Sequence, residues 1–360
     1  MKNDNRIVYD WERRLLDAKR QNEIQKNWLK IKLSRVLPKV MKREGLDMWI
    51  VVNRESNDDP VFKSLTLKIA RRQVILVYYL DENDELETLS VSRYGLELEG
   101  FYEPQWLPEN EGQWECLARV IKERDPQKIG LNFSETFPYG DGITKTQYEQ
   151  VINAIGSEYS KKVTSAEKVV VGWLETRIKE KLEAYPGMME LTHGIIAEAL
   201  SSRVIHPGVT TTKEVLWWFN NRLPNFGCGY IKVQRCGKKG SKEELDKLKK
   251  TGSEQDLGEL NDTVIRPGDI VRCDVGISYL GLHTDVQQNA YVLKPGEEDA
   301  PDGLKIALKN CNRLQDILAE EFVLGRTGNE ILKAALNRAN QEGLEATIYS
   351  HPIGTHDHGA

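Results

Sequence analysis

Pro267-Gly268-Asp269-Ile270-Val271-Arg272-Cys273-Asp274-Val275-Gly276, followed by Gly281-Leu282-His283-Thr284-Asp285, reads as two strands joined by a turn, each carrying an aspartate. Strands disfavour aspartate, so a specific partner must hold both. A turn centred on Tyr279 and Leu280 would set Asp274 directly across from Asp285, with Cβ atoms roughly 4.5 to 5.5 Å apart. Like charges so placed repel, and divalent ions about 3.5 to 4 Å apart between them would reverse the sign. His283 precedes Asp285 by two residues and so points to the same side, as a group behind the ligands or as a substrate contact. Three of the six histidines, His351, His356 and His358, fall within the last ten residues. Carboxylates with imidazole make a metal donor set. The plain alternatives are an Asp274 paired with Arg272 or a turn amide, and a His351 that is an ordinary buried or surface imidazole.

With these residues the segment resembles the M24 metallopeptidases of the pita-bread fold: the methionine aminopeptidase, Xaa-Pro aminopeptidase and prolidase group. Their pattern is a Pro-Gly-Asp turn, Asp-x-Gly, a turn glycine and a second aspartate. The tail Ser350-His351-Pro352-Ile353-Gly354, with His358 seven positions after His351, is similar to the family's metal-binding histidine followed by its proton-handling one. The resemblance implies Asp274, Asp285 and His351 as ligands of two divalent ions. Manganese is the leading choice, with cobalt, zinc and iron as alternatives. It implies that His358 binds the substrate carbonyl or shuttles a proton, and it gives His356 no role. The implied activity is hydrolysis of the first peptide bond by a metal-activated bridging hydroxide.

Upstream, Ile205-His206-Pro207-Gly208-Val209-Thr210-Thr211-Thr212-Lys213-Glu214 resembles the helix, turn and helix that precede the family's metal hairpin. Thr211 and Glu214 have capping-box spacing, which predicts a helix from Thr212 carrying Val215, Leu216, Trp218 and Phe219 toward a core. Leu46 to Val52 resembles the small domain that creatinases, prolidases and Xaa-Pro aminopeptidases add at the amino terminus. Methionine aminopeptidases lack it, so the resemblance favours peptides with proline second, as an aminopeptidase or as a prolidase on dipeptides. Two further classes compete. A creatinase-like hydrolase works without metals and lacks the aspartate pair, and a pita-bread binding module has lost its ligands.

Departures from the family pattern matter too. The family completes its site with two glutamates on later strands, and none follows before Ala360. The expectation is therefore a truncated chain, inactive alone, whose pita-bread sheet lacks its last strands. Relatives often carry a histidine shortly before the first aspartate; here Val233-Gln234-Arg235 stands instead, making Gln234 a candidate substrate contact. Gln288 and Asn289 replace an Arg-Thr pair.

The resulting expectation is an α/β (α+β) protein of two domains. Residues 1–172 form a creatinase- or prolidase-like α/β domain with a leading helix, and residues 173–360 an incomplete pita-bread catalytic domain. A length of 360 residues accommodates this. The formal net charge of -5, with both signs interspersed, gives no case for nucleic acid. No run is long and apolar enough to span a bilayer, and no signal core follows the amino terminus. The expected partners are a peptide and a second copy of the chain, in the cytoplasm or exported after signal removal. Cys116, Cys228, Cys236, Cys273 and Cys311 are odd in number and scattered, which favours free thiols.

Along the chain, apolar periodicity predicts an amphipathic helix over Trp11 to Glu44. Strands are predicted at Met48 to Val52, Gln73 to Leu80 and Lys128 to Leu131, with a helix at Glu111 to Glu123. The polar stretch Gly156 to Lys162 is a candidate end for the first domain. Helices are expected at Gly187 to Arg203 and Thr212 to Asn221. Cys236 to Gly258 reads as a solvated surface insertion, with Ser241 and Glu244 spaced to cap a short helix.

Overall fold

The structure is a computed structural model, and it describes residues 15–67, 72–93, 100–223, 262–348 and 351, together with the backbone of 227–236. The insertion, His356 and His358 lie outside the described residues. The chain divides into two compact units. One comprises residues up to Thr192 with Gly276–Asp285; the other comprises His193–Val275 with Val286–His351.

The first unit opens with two helices, α1 (Ala18–Arg35) and α2 (Leu37–Glu44), where the sequence predicts one. The break falls at Val36 because Pro38, in the first turn of α2, has no N–H to continue the ladder. Gly45, at φ 61°, then ends α2 in the left-handed conformation. β1 (Met48–Arg54) is followed by the short α3 (Phe62–Thr66), β2 (Gln73–Leu80), β3 (Leu86–Ser92) and β4 (Glu103–Pro104). Next come α4 (Gln113–Arg124), β5 (Ile129–Leu131), α5 (Lys145–Ser160), β6 (Val163–Ser165), α6 (Glu167–Glu175) and α7 (Lys179–Leu182). The strands form one mixed six-stranded sheet in the order β4-β3-β2-β1-β5-β6.

Strand β1 is apolar at every position from Met48 to Val52, and all five residues are buried. A strand covered on both faces reads as such an unbroken run. Alternation sorts these residues between two cores. Trp49 and Val51 join Leu76 and Tyr78 beneath α1, α2 and α6. Met48, Ile50 and Val52 join Ile75 and Val77 beneath α4 and α5. Leu280 and Leu282 belong to the first of these cores, so the tip of the aspartate hairpin packs with this unit.

The polar stretch around Gly156 breaks α5 with a kink, and β6 beyond it adds the far edge strand of the same sheet. Gly156 sits at that kink with φ 75° and ψ 179°, a conformation open to glycine.

Helix α8 (Tyr185–Ala199) leads into the second unit, followed by α9 (Thr212–Arg222), β7 (Gly227–Cys236) and β8 (Ile270–Tyr279). After the turn come β9 (Leu282–His283), β10 (Val286–Tyr291), α10 (Asp302–Glu320) and α11 (Gly328–Gln341). Strands β10, β8 and β7 lie side by side in that order. The predicted capping box is present: Thr211 Oγ1 accepts from Glu214 N at 3.2 Å, and Glu214 accepts from Thr211 N at 2.7 Å. Val215 and Phe219 are fully buried on α9, whereas Trp217 is 57% exposed. Helices α10 and α11 close around Ile317, Ala335 and Ala339. Among the described residues no helix is long and apolar enough to cross a membrane.

Candidate metal hairpin

The segment before the hairpin is fixed by backbone bonds that its turn residues make possible. Gly208 N donates to Ile265 O at 2.7 Å and Ile265 N to Thr210 O at 2.9 Å, so the His206-Pro207-Gly208 turn is clasped to the approach to β8. Gly268 sits at φ +89°, and a Cβ there would lie 2.7 Å from Lys294 Cε. The positive φ favours glycine, whereas the flexible Lys294 side chain could swing away from a Cβ. Arg266 N donates to Asp269 Oδ2 at 2.7 Å, closing the Pro-Gly-Asp turn.

The turn of the hairpin differs from the sequence expectation. Its centre is Leu280-Gly281, not Tyr279-Leu280, with φ +55° and +70°. Positive φ at both central residues is the two-residue hairpin turn whose twist matches that of the strands, and glycine is favoured in its second position. Moving the centre by one residue moves every pairing by two. Asp274 therefore pairs with Gln287, not with Asp285. The Gln287 side chain accepts a hydrogen bond from the Arg272 guanidinium. An even shift preserves the alternation of side chains along β8.

Asp285 is half-buried and lies between β9 and β10. Its neighbour Thr284 anchors this stretch. Thr284 N donates to Ile277 O at 3.0 Å, its Oγ1 accepts from Ile277 N at 3.3 Å, and the same hydroxyl lies 3.0 Å from Thr192 Oγ1 on α8. Both threonines are buried. His283 pairs with Ser278 across the turn, and Ser278 Oγ lies 2.8 Å from its Nδ1. Gln234 lies on the backbone of β7. His351 is exposed. His206 supports the turn through its backbone N–H, which donates to Thr210 Oγ1 at 2.9 Å, and His193 is exposed on α8.

Among the described residues no group of three or more histidine, cysteine, aspartate or glutamate side chains is gathered closely enough to hold a metal. The donor chemistry of Asp274, Asp285 and His351 nonetheless suits a divalent ion of the manganese to zinc series. Sequence reasoning missed two neighbours of the aspartates, Gln287 and the Thr192–Thr284 pair. Locating the turn glycine at Gly281 would have exposed the first; the second joins residues ninety-two positions apart and leaves no local signal.

Cys116, Cys273 and Cys311 are free thiols. Burial pushes the Cys273 thiol up to about 11, so the residue beside Asp274 stays protonated and inert at neutral pH.

The fold is shared with proline-directed exopeptidases. The X-Pro aminopeptidase from Thermotoga maritima superposes with a TM-score of 0.64 at 15% identity, over 89% of this chain and 84% of that one. The Xaa-Pro dipeptidase from Bacillus anthracis gives 0.58 at 18% identity, over 94% and 84%. The prolidase from Thermococcus sibiricus gives 0.53 at 18% identity, over 96% and 84%. Residues 188–359 match the model of metallopeptidase family M24. A sequence search of curated proteins gives no match.

Proposed function

We propose that the protein is a metal-dependent aminopeptidase that releases the first residue of peptides with proline in second place. The observation that carries this reading is the pair of aspartates, Asp274 and Asp285, within the stretch that matches the M24 family model, in a chain that also carries the six-stranded amino-terminal unit. Asp274, Asp285 and His351 would hold two divalent ions, with manganese the leading choice. Bound there, the ions supply a nucleophile at neutral pH and offset charge developing on the scissile carbonyl. His358 would hold a proton at that carbonyl oxygen, and Gln234 and His283 would orient the peptide. Ser278 steadies the His283 ring for that task.

A second reading, a prolidase acting on Xaa-Pro dipeptides, draws support from the likeness to the Bacillus anthracis dipeptidase. Comparing hydrolysis of Xaa-Pro with that of Xaa-Pro-Yaa separates the two. The test is metal analysis and peptide hydrolysis by the complete protein with added manganese. The expected result is bound metal and turnover, with Asp285→Asn reducing turnover by at least the roughly 10- to 100-fold lost when even the groups behind metal ligands are removed. A protein that takes up no metal and cleaves neither peptide would instead be a binding module.

A further inference from the structure

One face of the β8–β10 ladder is apolar and buried, and the other is polar and open. Along β8, Val271, Cys273 and Val275 are buried, whereas Ile270, Arg272 and Asp274 between them are half-buried. Residues paired across a ladder share a face, and the register sets Gln287 opposite Asp274 and Asn289 opposite Arg272. Gln287 and Asn289 are exposed. Arg272, Asp274, Gln287 and Asn289 therefore line the open face together.

Arg272 does not reach straight across to Asn289. Its Nη2 donates to Gln287 Oε1, so the guanidinium leans diagonally toward the row that holds Asp274. That acceptor is a neutral amide, which orients the fork without cancelling its charge. Among the described residues Arg272 forms no ion pair, with Asp274 or with any other carboxylate. Successive rows on one face of a strand lie about 6.6 to 6.8 Å apart. A peptide whose scissile carbonyl is held at Asp274 carries its next two residues about 3.3 to 7 Å further along, which is the same span.

We infer, resting on the peptidase activity proposed above, that Arg272, oriented by Gln287, is the seat of a substrate carboxylate on the leaving side of the scissile bond. It selects peptides that carry a negative charge one or two residues past that bond. A planar guanidinium meets a carboxylate through two parallel N–H bonds, a geometry that an ammonium does not reproduce. The carboxylate has two sources, the chain terminus of a short peptide and the side chain of an acidic residue.

Steady-state hydrolysis by the complete protein with manganese tests this in two arms. The first compares Xaa-Pro-Yaa with its carboxyl-terminal amide, and the second compares the amides of Xaa-Pro-Glu and Xaa-Pro-Gln. In at least one arm the charged peptide should be favoured about 10-fold or more in kcat/KM, the range of a charge-assisted hydrogen bond, and chiefly through KM. Preference in the first arm alone assigns the chain terminus; preference in the second alone assigns the acidic side chain. Arg272→Gln should abolish the preference, and Arg272→Lys, which keeps the charge and loses the fork, should fall between. Manganese content, measured by elemental analysis, should be the same in wild type and both variants. A variant that lowers charged and neutral peptides by the same factor, or that loses manganese, marks Arg272 as a structural support of Asp274 and overturns the proposal. Equal kcat/KM for charged and neutral peptides in the wild type overturns it with the peptidase reading intact. A protein that cleaves none of the four peptides overturns that reading and the carboxylate seat with it.

Discussion

Thr192 on α8 and Thr284 beside the second aspartate share a buried hydroxyl–hydroxyl hydrogen bond of 3.0 Å. Neither side chain has other access to water, and each satisfies its remaining capacity on backbone: Thr192 donates to Met188 O at 2.8 Å, and Thr284 accepts from Ile277 N at 3.3 Å. The pair ties the turn end of the hairpin to a helix far away in sequence and fixes the backbone that carries Asp285. Thr284→Val keeps the shape but leaves Ile277 N–H without the hydroxyl that receives it. The expected cost is about 1 to 3 kcal/mol in chemical denaturation. A double-mutant cycle with Thr192→Val should return a coupling of about 1 kcal/mol; additive single effects would show that the hydroxyls do not cooperate.

Asp59 is the clearest source of pH dependence in the first unit. It is 1% exposed, and burial pushes its carboxyl up to about 6, against bonds from Asn132 Nδ2 at 2.8 Å and Val61 N at 3.0 Å that favour the charged form. Asp141 adds a smaller upward push. A carboxyl whose folded pKa exceeds its unfolded value binds protons more tightly when folded, so its contribution is greatest at low pH and is lost as pH rises through about 6. Between pH 4 and 7 this amounts to about 3 kcal/mol, opposing the gain that other carboxylates give over the same range. Asp59→Asn should remove this loss, seen as urea midpoints that rise more, or fall less, from pH 4 to 7 than in wild type. An unchanged profile would place the titration elsewhere.

The same residue explains a glycine. A Cβ built on Gly142 would lie 2.1 Å from Asp59 Oδ2 and 2.2 Å from its Cγ. Asp59 cannot retreat without breaking its bonds to Asn132 and Val61. Gly142→Ala should therefore destabilise by about 3 kcal/mol, the upper part of the usual overpacking range. Asp59→Ala vacates the space, so adding it to Gly142→Ala should cost less than the sum of the two single changes. Strict additivity in denaturation midpoints would mean the clash is relieved some other way.

What the sequence reveals follows from how local each feature is. β1 and β2 are legible because a central strand buried on both faces must be continuously apolar, and α9 because Thr211 and Glu214 write its start into four residues. The Asp-containing hairpin is legible as a pair of strands, but its register is not, because one residue's uncertainty in the turn moves each pairing by two. β3 and β6 escape notice for different reasons. β3 alternates imperfectly at a half-exposed position in the sheet, and β6 has three residues of which none is fully buried. The burial of Lys32 is invisible in a chain rich in charge, since only packing reveals that its ammonium is inside.

Leu280 is the one place in the hairpin where local preference and packing disagree. It holds φ +55° in the first turn position, where asparagine or glycine is favoured and a leucine costs about 1 to 2 kcal/mol. It is also 7% exposed within the first unit's core, where truncating a buried leucine costs about 2 to 5 kcal/mol. Burial outweighs the backbone strain, which is why leucine is retained against the turn's preference. Leu280→Asn relieves the backbone and forfeits the core, so it should destabilise by about 1 to 2 kcal/mol net. Leu280→Ala keeps the backbone penalty as well as losing the core and should be the worse of the two. If the asparagine variant proved more stable than wild type in denaturant titrations, the turn would be governed by its backbone alone, and the packing of Leu280 would not be what fixes the register of the aspartate hairpin.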